Sequence, residues 1–178
     1  MNKTFKEVFV IVIASFVIGV IANAVSSKGV PFIRDDSERF AVDTAAAVNI
    51  EEIKTKRGKL NKAGYYNPVN IPIEAAKMLY DEGVVFIDGR DATEFQTGHI
   101  QGAINIDYKT FKDMTVEEKQ QLMKDIKTEQ LIVSYCGSDS CEISIDNAYE
   151  MAKAGYNDVK IFLGGYKDWN NQGYPVVK

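Results

Sequence analysis

The chain has 178 residues, with 21 lysines and arginines against 25 aspartates and glutamates, and a formal net charge of -4. This length allows one globular domain of ordinary size and a tether. The negative charge argues against a nucleic-acid partner, because neutralising phosphates requires a surplus of basic residues. Two cysteines and one histidine are too few for a disulfide framework or a multi-histidine metal centre. We therefore expect no metal site, and we expect no cofactor.

The first element is an apolar stretch from Val8 to Val25 without a charged residue. A helix of this length covers roughly 27 Å, which is just enough to cross a bilayer. The sequence Ala22-Asn23-Ala24 also fits a signal-peptidase site, so a cleaved secretory signal is the alternative. We favour a retained anchor, because the apolar run already reaches the upper length of a signal core and the next charge is Lys28.

Both interpretations place the rest of the chain outside the cytoplasm. The sequence predicts a single-pass protein of a bacterial inner membrane, with its soluble domain on the periplasmic or extracytoplasmic side. Residues 1–27 are predicted to form the transmembrane anchor or signal-like segment, residues 28–69 a tether and peripheral segment, and residues 70–178 a compact domain. The middle segment has charge clusters and few large apolar residues, so only short helices around Thr44 to Ile53 are expected there.

Strand and helix patterns alternate after Pro72. Short apolar runs predict buried strands over residues 84–87, 103–106, 131–135 and 159–163. Periodic stretches with capping signals predict helices over residues 73–83, 115–126 and 143–155, and a last helical piece around Trp169. This alternation predicts an α/β fold, in which helices cover both faces of a mostly parallel central sheet. In such sheets the chemistry gathers beyond the carboxyl ends of the strands.

Cys136 stands at the end of one of these strands. It follows the apolar run LIVSY and precedes a polar loop, a second cysteine and a predicted helix. Backbone amides of a loop that opens a helix stabilise an anion, so a thiol held there is expected to react as thiolate. A buried, inert cysteine is the alternative, which the position in a polar loop disfavours. Cys136 is therefore the predicted nucleophile, and the predicted anion cradle consists of the backbone amides of Gly137, Ser138, Asp139, Ser140 and Cys141.

From about residue 71 onward the chain resembles the rhodanese family of thiosulfate sulfurtransferase-like domains. Three segments carry the resemblance: FIDGRDATEFQTGHIQGAINI over residues 86–106, YCGSDSCEIS around the cysteines, and VKIFLGGYKDWNNQGYPV over residues 159–176. The resemblance implies a single rhodanese-like domain whose Cys136 takes sulfane sulfur as a persulfide and hands it on. It implies a small sulfur-donor molecule or a persulfide protein as the partner. It also makes Asp88 and Arg90 an ion pair that supports the site.

One departure from the family pattern changes the expected chemistry. The usual loop resembles Cys-x-x-Gly-x-Arg, but Cys141 stands at the arginine position, and Asp139 and Glu142 add negative charge. Thiosulfate, a dianion, is therefore a doubtful donor. Cys141 is instead a candidate resolving thiol for Cys136. Two functions are predicted: a membrane-tethered sulfurtransferase or sulfane-sulfur carrier, and alternatively a non-catalytic or redox-sensing module that uses a disulfide between these cysteines.

Overall fold

The computed structural model describes residues 3–25, 49–138 and 141–178. The chain divides into two units, and the first contains helix α1, Lys3–Val25. The large apolar side chains of α1 are exposed. Within it, Phe5–Asn23 is long and apolar enough to cross a membrane, a criterion that a signal sequence also meets. The predicted N-terminal apolar helix is thus present.

The second unit is built around a five-stranded parallel sheet with the order β1-β6-β5-β2-β4. A further antiparallel pair, β3 with β7, lies outside this sheet and was not expected from the sequence. The strands are β1 Val69–Ile71, β2 Val85–Asp88, β3 His99–Ile100, β4 Ile104–Asn105, β5 Ile132–Tyr135, β6 Val159–Phe162 and β7 Val176–Val177. The predicted α/β fold with a mostly parallel sheet is confirmed, and all four predicted strands lie in that sheet.

Most of the described helices in the second unit lie within the predicted helical stretches. The helices among the described residues of this unit are α2 Ile50–Thr55, α3 Ile73–Asp81, α4 Ala92–Thr97, α5 Tyr108–Phe111, α6 Val116–Leu122, α7 Ile143–Lys153 and α8 Gly165–Asn171. Helix α6 begins with a capping box in which the hydroxyl of Thr115 accepts the Glu118 amide and the Glu118 carboxylate accepts the Thr115 amide. The sequence did not predict α4 and α5, which are only six and four residues long.

The sheet has a buried hydrophobic cluster on each face. Phe86 and Val133 enter one cluster, together with Trp169, whereas Ile87 and Ile132 enter the other. Neighbouring residues of a strand point to opposite faces, so this division shows that helices cover both sides of the sheet. Because β2, β5 and β6 are largely buried on both faces, their sequences are mostly apolar and do not alternate.

The segment just before the first strand also packs against the domain. Ile50 and Ile53 of α2 contact the cluster that contains Trp169, and Lys54 forms an ion pair with Glu82. Described residues from 49 onward thus contribute to the core, although they fall in the segment predicted as a tether. Residues 26–48 lie outside the described residues, and the segment boundaries at 27 and 69 stay predictions.

The register of the parallel strands determines where chemistry can gather. Tyr135, the last residue of β5, stands opposite Asp88 at the end of β2 and Phe162 at the end of β6. The residues that follow these three strands therefore emerge at one edge of the sheet. Cys136 is the first residue beyond β5 at that edge.

Candidate functional site

The loop after β5 carries both cysteines of the chain. Cys136 follows β5 directly, and Cys141 lies two residues before α7. Residues 139 and 140, which hold two of the predicted cradle amides, lie outside the described residues. Both cysteines are free thiols. The strand, loop and helix arrangement predicted around Cys136 is therefore present.

Cys136 is completely buried, with a relative exposure of 0%. Its sulfur lies 3.0 Å from the carbonyl oxygen of Cys141 and 3.7 Å from that of Ser138. Carbonyl oxygens accept hydrogen bonds, so they stabilise the protonated thiol. A hydrogen bond from this thiol to the sulfur of Cys141 raises the pKa of Cys136, and burial raises it further, although Ser144 acts in the opposite direction.

Cys141 is partly exposed and has the opposite electrostatic environment. Its sulfur accepts the hydrogen bond of the Cys136 thiol, and the backbone amides of Gly137 and Ile143 also donate to it. Although burial and the charge of Glu94 oppose this effect, these three hydrogen bonds lower the pKa of Cys141 to about 6. These surroundings favour the thiolate on Cys141, whereas the sequence predicted it on Cys136, because the loop amides face the second cysteine and burial opposes a charge on the first.

The loop amides do not all face Cys136. The amide of Gly137 points at the sulfur of Cys141, and the amide of Cys141 donates to the carbonyl of Ser138 at 3.0 Å. The nearest group that the sequence did not single out is Ser144 of α7, whose Oγ lies 3.4 Å from the sulfur of Cys136. The predicted anion cradle for Cys136 stays a prediction.

The backbone of Ser144 is held in place by a hydrogen bond from β5. Its carbonyl accepts a hydrogen bond of 2.9 Å from the hydroxyl of Ser134 in β5, and both side chains are fully buried. The signal for this contact in the sequence is weak. A serine in the first turn of a helix usually suggests a helix-capping role rather than a contact with a thiol eight residues earlier.

Asp88 and Arg90 form a buried ion pair behind the loop. The Arg90 Nη2 donates to Asp88 Oδ2 at 2.6 Å and to the carbonyl of Gly98 at 2.8 Å. The guanidinium also lies 4.9 Å from the ring centre of Tyr166. Burial opposes the charge of Arg90, but the hydrogen bonds with Asp88 outweigh it and raise the pKa of the guanidinium. Because Nε and Nη2 of Arg90 are bound to Asp88 and to the carbonyl of Gly98, the guanidinium is held in place behind the loop.

Backbone hydrogen bonds join the loop to the start of α8. The amide of Tyr166 donates to the carbonyl of Cys136 at 2.8 Å, and the amide of Lys167 donates to the carbonyl of Gly137 at 2.9 Å. Gly165 makes this approach possible, because it has a φ of +60° and a Cβ there would lie 2.4 Å from the carbonyl oxygen of Cys136. The start of α8 is thereby held against the loop that carries both cysteines.

His99 lies away from this loop. Its Nδ1 is 2.9 Å from the carbonyl oxygen of Phe95, and its ring stacks on the Phe95 ring at 3.8 Å. These contacts fix the turn before β3. Among residues 3–25, 49–138 and 141–178, no group of three or more histidine, cysteine, aspartate or glutamate side chains is placed to hold a metal ion.

The geometry agrees with the comparisons with known proteins. A family model described as the rhodanese-like domain matches residues 72–172, which is more than half of the chain. The chain therefore belongs to the rhodanese-like domain family, and the predicted resemblance is confirmed.

Two curated relatives illustrate how far the similarity extends. The chloroplastic rhodanese-like domain-containing protein 15 of Arabidopsis thaliana is 24% identical over 127 residues, which cover 68% of each chain. The tRNA uridine(34) hydroxylase of Staphylococcus aureus is 36% identical over 97 residues, which cover 53% of this chain but only 28% of the hydroxylase. The similarity to the hydroxylase thus concerns one part of a longer protein.

Solved structures support the fold. A protein of Bacillus halodurans is 24% identical, with a TM-score of 0.51, and the match covers 60% of this chain and 74% of that one. An uncharacterized protein from Saccharomyces cerevisiae is 22% identical, with a TM-score of 0.50, and the match covers 60% and 94% of the two chains. At this level of identity, these likenesses concern the fold alone.

The close approach at Gly165 generates a stability prediction. We expect Gly165→Ala to lower the free energy of unfolding by at least about 3 kcal/mol, because the new Cβ adds a backbone clash to the cost of the left-handed conformation. The measurement is chemical unfolding followed by the fluorescence of Trp169, the only tryptophan in the chain.

The matched control is Gly83→Ala. Gly83 has a similar φ of +79°, but a Cβ there would meet nothing within 4 Å. Only the conformational cost of about 1 to 2 kcal/mol should appear. Equal losses in the two variants would show that the contact between Gly165 and the loop carries no strain.

Proposed function

We propose that the chain is a membrane-tethered sulfurtransferase or sulfane-sulfur carrier that forms a persulfide on Cys136. The observation that carries this proposal is the position of Cys136, a free thiol at the carboxyl end of a central strand in a rhodanese-like domain. Membership of the family supports a sulfurtransferase-type activity for this thiol. The partner we infer is a small sulfur-donor molecule or a persulfide protein, with no part for nucleic acid.

The charges around the loop bear on the choice of donor. The segment from Gly137 to Glu142 contains no lysine or arginine. Arg90, although close, is bound to Asp88 and to the carbonyl of Gly98. Glu94 lies close enough to raise the pKa of Cys141. A dianion such as thiosulfate would gain little from this environment, so we infer that the donor is a persulfide or polysulfide.

Mass spectrometry of the loop peptide tests the sulfurtransferase proposal. After incubation with polysulfide or glutathione persulfide, we expect a labile adduct of about 32 Da, one sulfur atom, on Cys136. Thiosulfate should load the protein more slowly than either, because the loop lacks a cation. The control is Cys136→Ser, which cannot hold the adduct at this position. Absence of an adduct on the wild-type chain with every donor would contradict the proposal.

A second function is favoured by the contact between the two thiols. The sulfur of Cys136 lies 3.0 Å from the carbonyl oxygen of Cys141, so the two cysteines are direct neighbours, and we infer that this module senses oxidation by joining them in a disulfide. Thiol counting on protein kept in its native compartment distinguishes the two functions. A quantitative disulfide that resists mild reductant favours the redox-sensing module, and a free reactive thiol favours the sulfur carrier.

The membrane tether has its own test. We propose that α1 is retained as an anchor in a bacterial inner membrane and that the rhodanese-like domain lies on the extracytoplasmic side. The apolar stretch Phe5–Asn23 supports this, as do Lys3 just before it and Lys6 near its start.

In membranes of bacteria that express the full chain, we expect the protein to resist alkaline carbonate extraction and to keep residues 1–24. Protease added to spheroplasts should degrade the domain. A mature chain that begins after Ala24 would instead identify the segment as a cleaved signal, since Ala22-Asn23-Ala24 fits a cleavage site.

A further inference from the structure

The two thiols differ in how a donor can reach them. Cys136 has no exposed surface, whereas Cys141 is partly exposed. A molecule that arrives from solvent therefore meets the sulfur of Cys141 before that of Cys136. The family pattern places an arginine where Cys141 stands, so the pattern by itself gives no reason to expect a reactive thiol there.

The two sulfurs also differ in the groups that face them. The sulfur of Cys141 receives the amides of Gly137 and Ile143. Ile143 is the first residue of the eleven-residue helix α7, whose N-terminus carries a partial positive charge. The sulfur of Cys136 lies beside the carbonyl oxygens of Ser138 and Cys141 instead, and among the described residues only one backbone amide, that of Ser144, donates to it. The surroundings of Cys141 therefore stabilise a thiolate, and those of Cys136 stabilise a thiol.

We propose that Cys141 is the nucleophile that first accepts sulfane sulfur from a low-molecular-weight persulfide, and that it passes this sulfur to the buried Cys136. This inference rests on the proposed sulfur-carrier function and adds a second catalytic cysteine to it. Cys136 remains the residue on which the persulfide is stored.

The first step is attack by the Cys141 thiolate on the outer sulfur of a donor R–S–SH. A sulfur–sulfur bond forms to Cys141, the R–S to sulfur bond breaks, and RS⁻ leaves with the electron pair. The products are Cys141–S–SH and RS⁻. Neither an oxidant nor a reductant is consumed, because one persulfide is exchanged for another.

The second step moves the sulfur inward. The sulfur of Cys136 attacks the outer sulfur of Cys141–S–SH, and the bond from that sulfur to Cys141 breaks. The proton of the Cys136 thiol passes to the departing Cys141 sulfur, along the contact that already joins the two sulfurs. The products are Cys136–S–SH and the Cys141 thiol. A thiol of low pKa leaves readily, so the environment of Cys141 favours transfer in this direction.

A single-turnover experiment on the full chain tests this order. Substoichiometric glutathione persulfide is added, the reaction is stopped with an alkylating agent at increasing times, and the adduct is located by mass spectrometry. A protease that cleaves at aspartate separates the two cysteines, because Asp139 lies between them. In the wild-type chain we expect the adduct on Cys141 first and on Cys136 later.

Two variants make the test decisive. Cys136→Ser should hold the adduct on Cys141. Cys141→Ser should slow loading of Cys136 by at least about tenfold, because at neutral pH an ordinary thiol is only a few per cent ionised and a buried one less. The fluorescence of Trp169 reports whether each variant is folded.

The outcomes separate the two proposals. Loading of Cys136 at the wild-type rate in a folded Cys141→Ser variant would overturn the assignment of Cys141 while leaving the sulfur-carrier function intact. A wild-type chain that takes no sulfur on either cysteine would overturn the sulfur-carrier function itself, and the inference with it.

Discussion

The close contact between Gly165 and the carbonyl of Cys136 is the constraint on which the site depends. The start of α8 can donate the amides of Tyr166 and Lys167 to the loop only because residue 165 has no side chain. These bonds fix the backbone on one side of Cys136, and the start of α7 holds Ser144 on the other. The loop is thus positioned by two helices and by the strand that precedes it.

This fixed backbone gives the two thiols different electrostatic surroundings. In the described part of the chain, two carbonyl oxygens and one amide, that of Ser144, face Cys136, while the amides of Gly137 and Ile143 face Cys141, although the two cysteines belong to one short loop. In the family pattern, an arginine at position 141 would bring positive charge to the loop. In this chain the charge of Arg90 is neutralised by Asp88. The difference between the two sulfurs therefore comes from the second cysteine, the loop amides and the helix dipole.

Much of the fold follows from local sequence patterns. The central strands β2, β5 and β6 are short and mostly apolar. The capping box of Thr115 marks the start of one helix, and the positive φ of Gly83 marks the end of another, as the sequence predicts. The position of Cys136 is predictable for the same reason, since an apolar run gives way to a polar loop. The pairing of β3 with β7 joins segments far apart in the chain, and no local pattern specifies it.

The properties of the site depend on contacts of this non-local kind. The burial of Cys136 and the amides that face Cys141 result from the path of the loop backbone, which residue types do not determine. Ser144 looks like an ordinary helix-start residue, and only the packing of α7 against β5 brings it to the thiol. The resemblance to the family points to a reactive loop, but it does not show which of its two sulfurs is ionised.

The ionisation of the two cysteines tests the central claim most directly. The measurement is the chemical shift of each ¹³C-labelled cysteine Cβ in the full chain, from about pH 4 to about pH 10, the range in which protein thiols ionise. We expect Cys141 to titrate with a midpoint near 6 and to be a thiolate above it, while Cys136 stays protonated through neutral pH. Ionisation of Cys136 before Cys141, or of both thiols together near the ordinary value of about 8.5, would contradict the account.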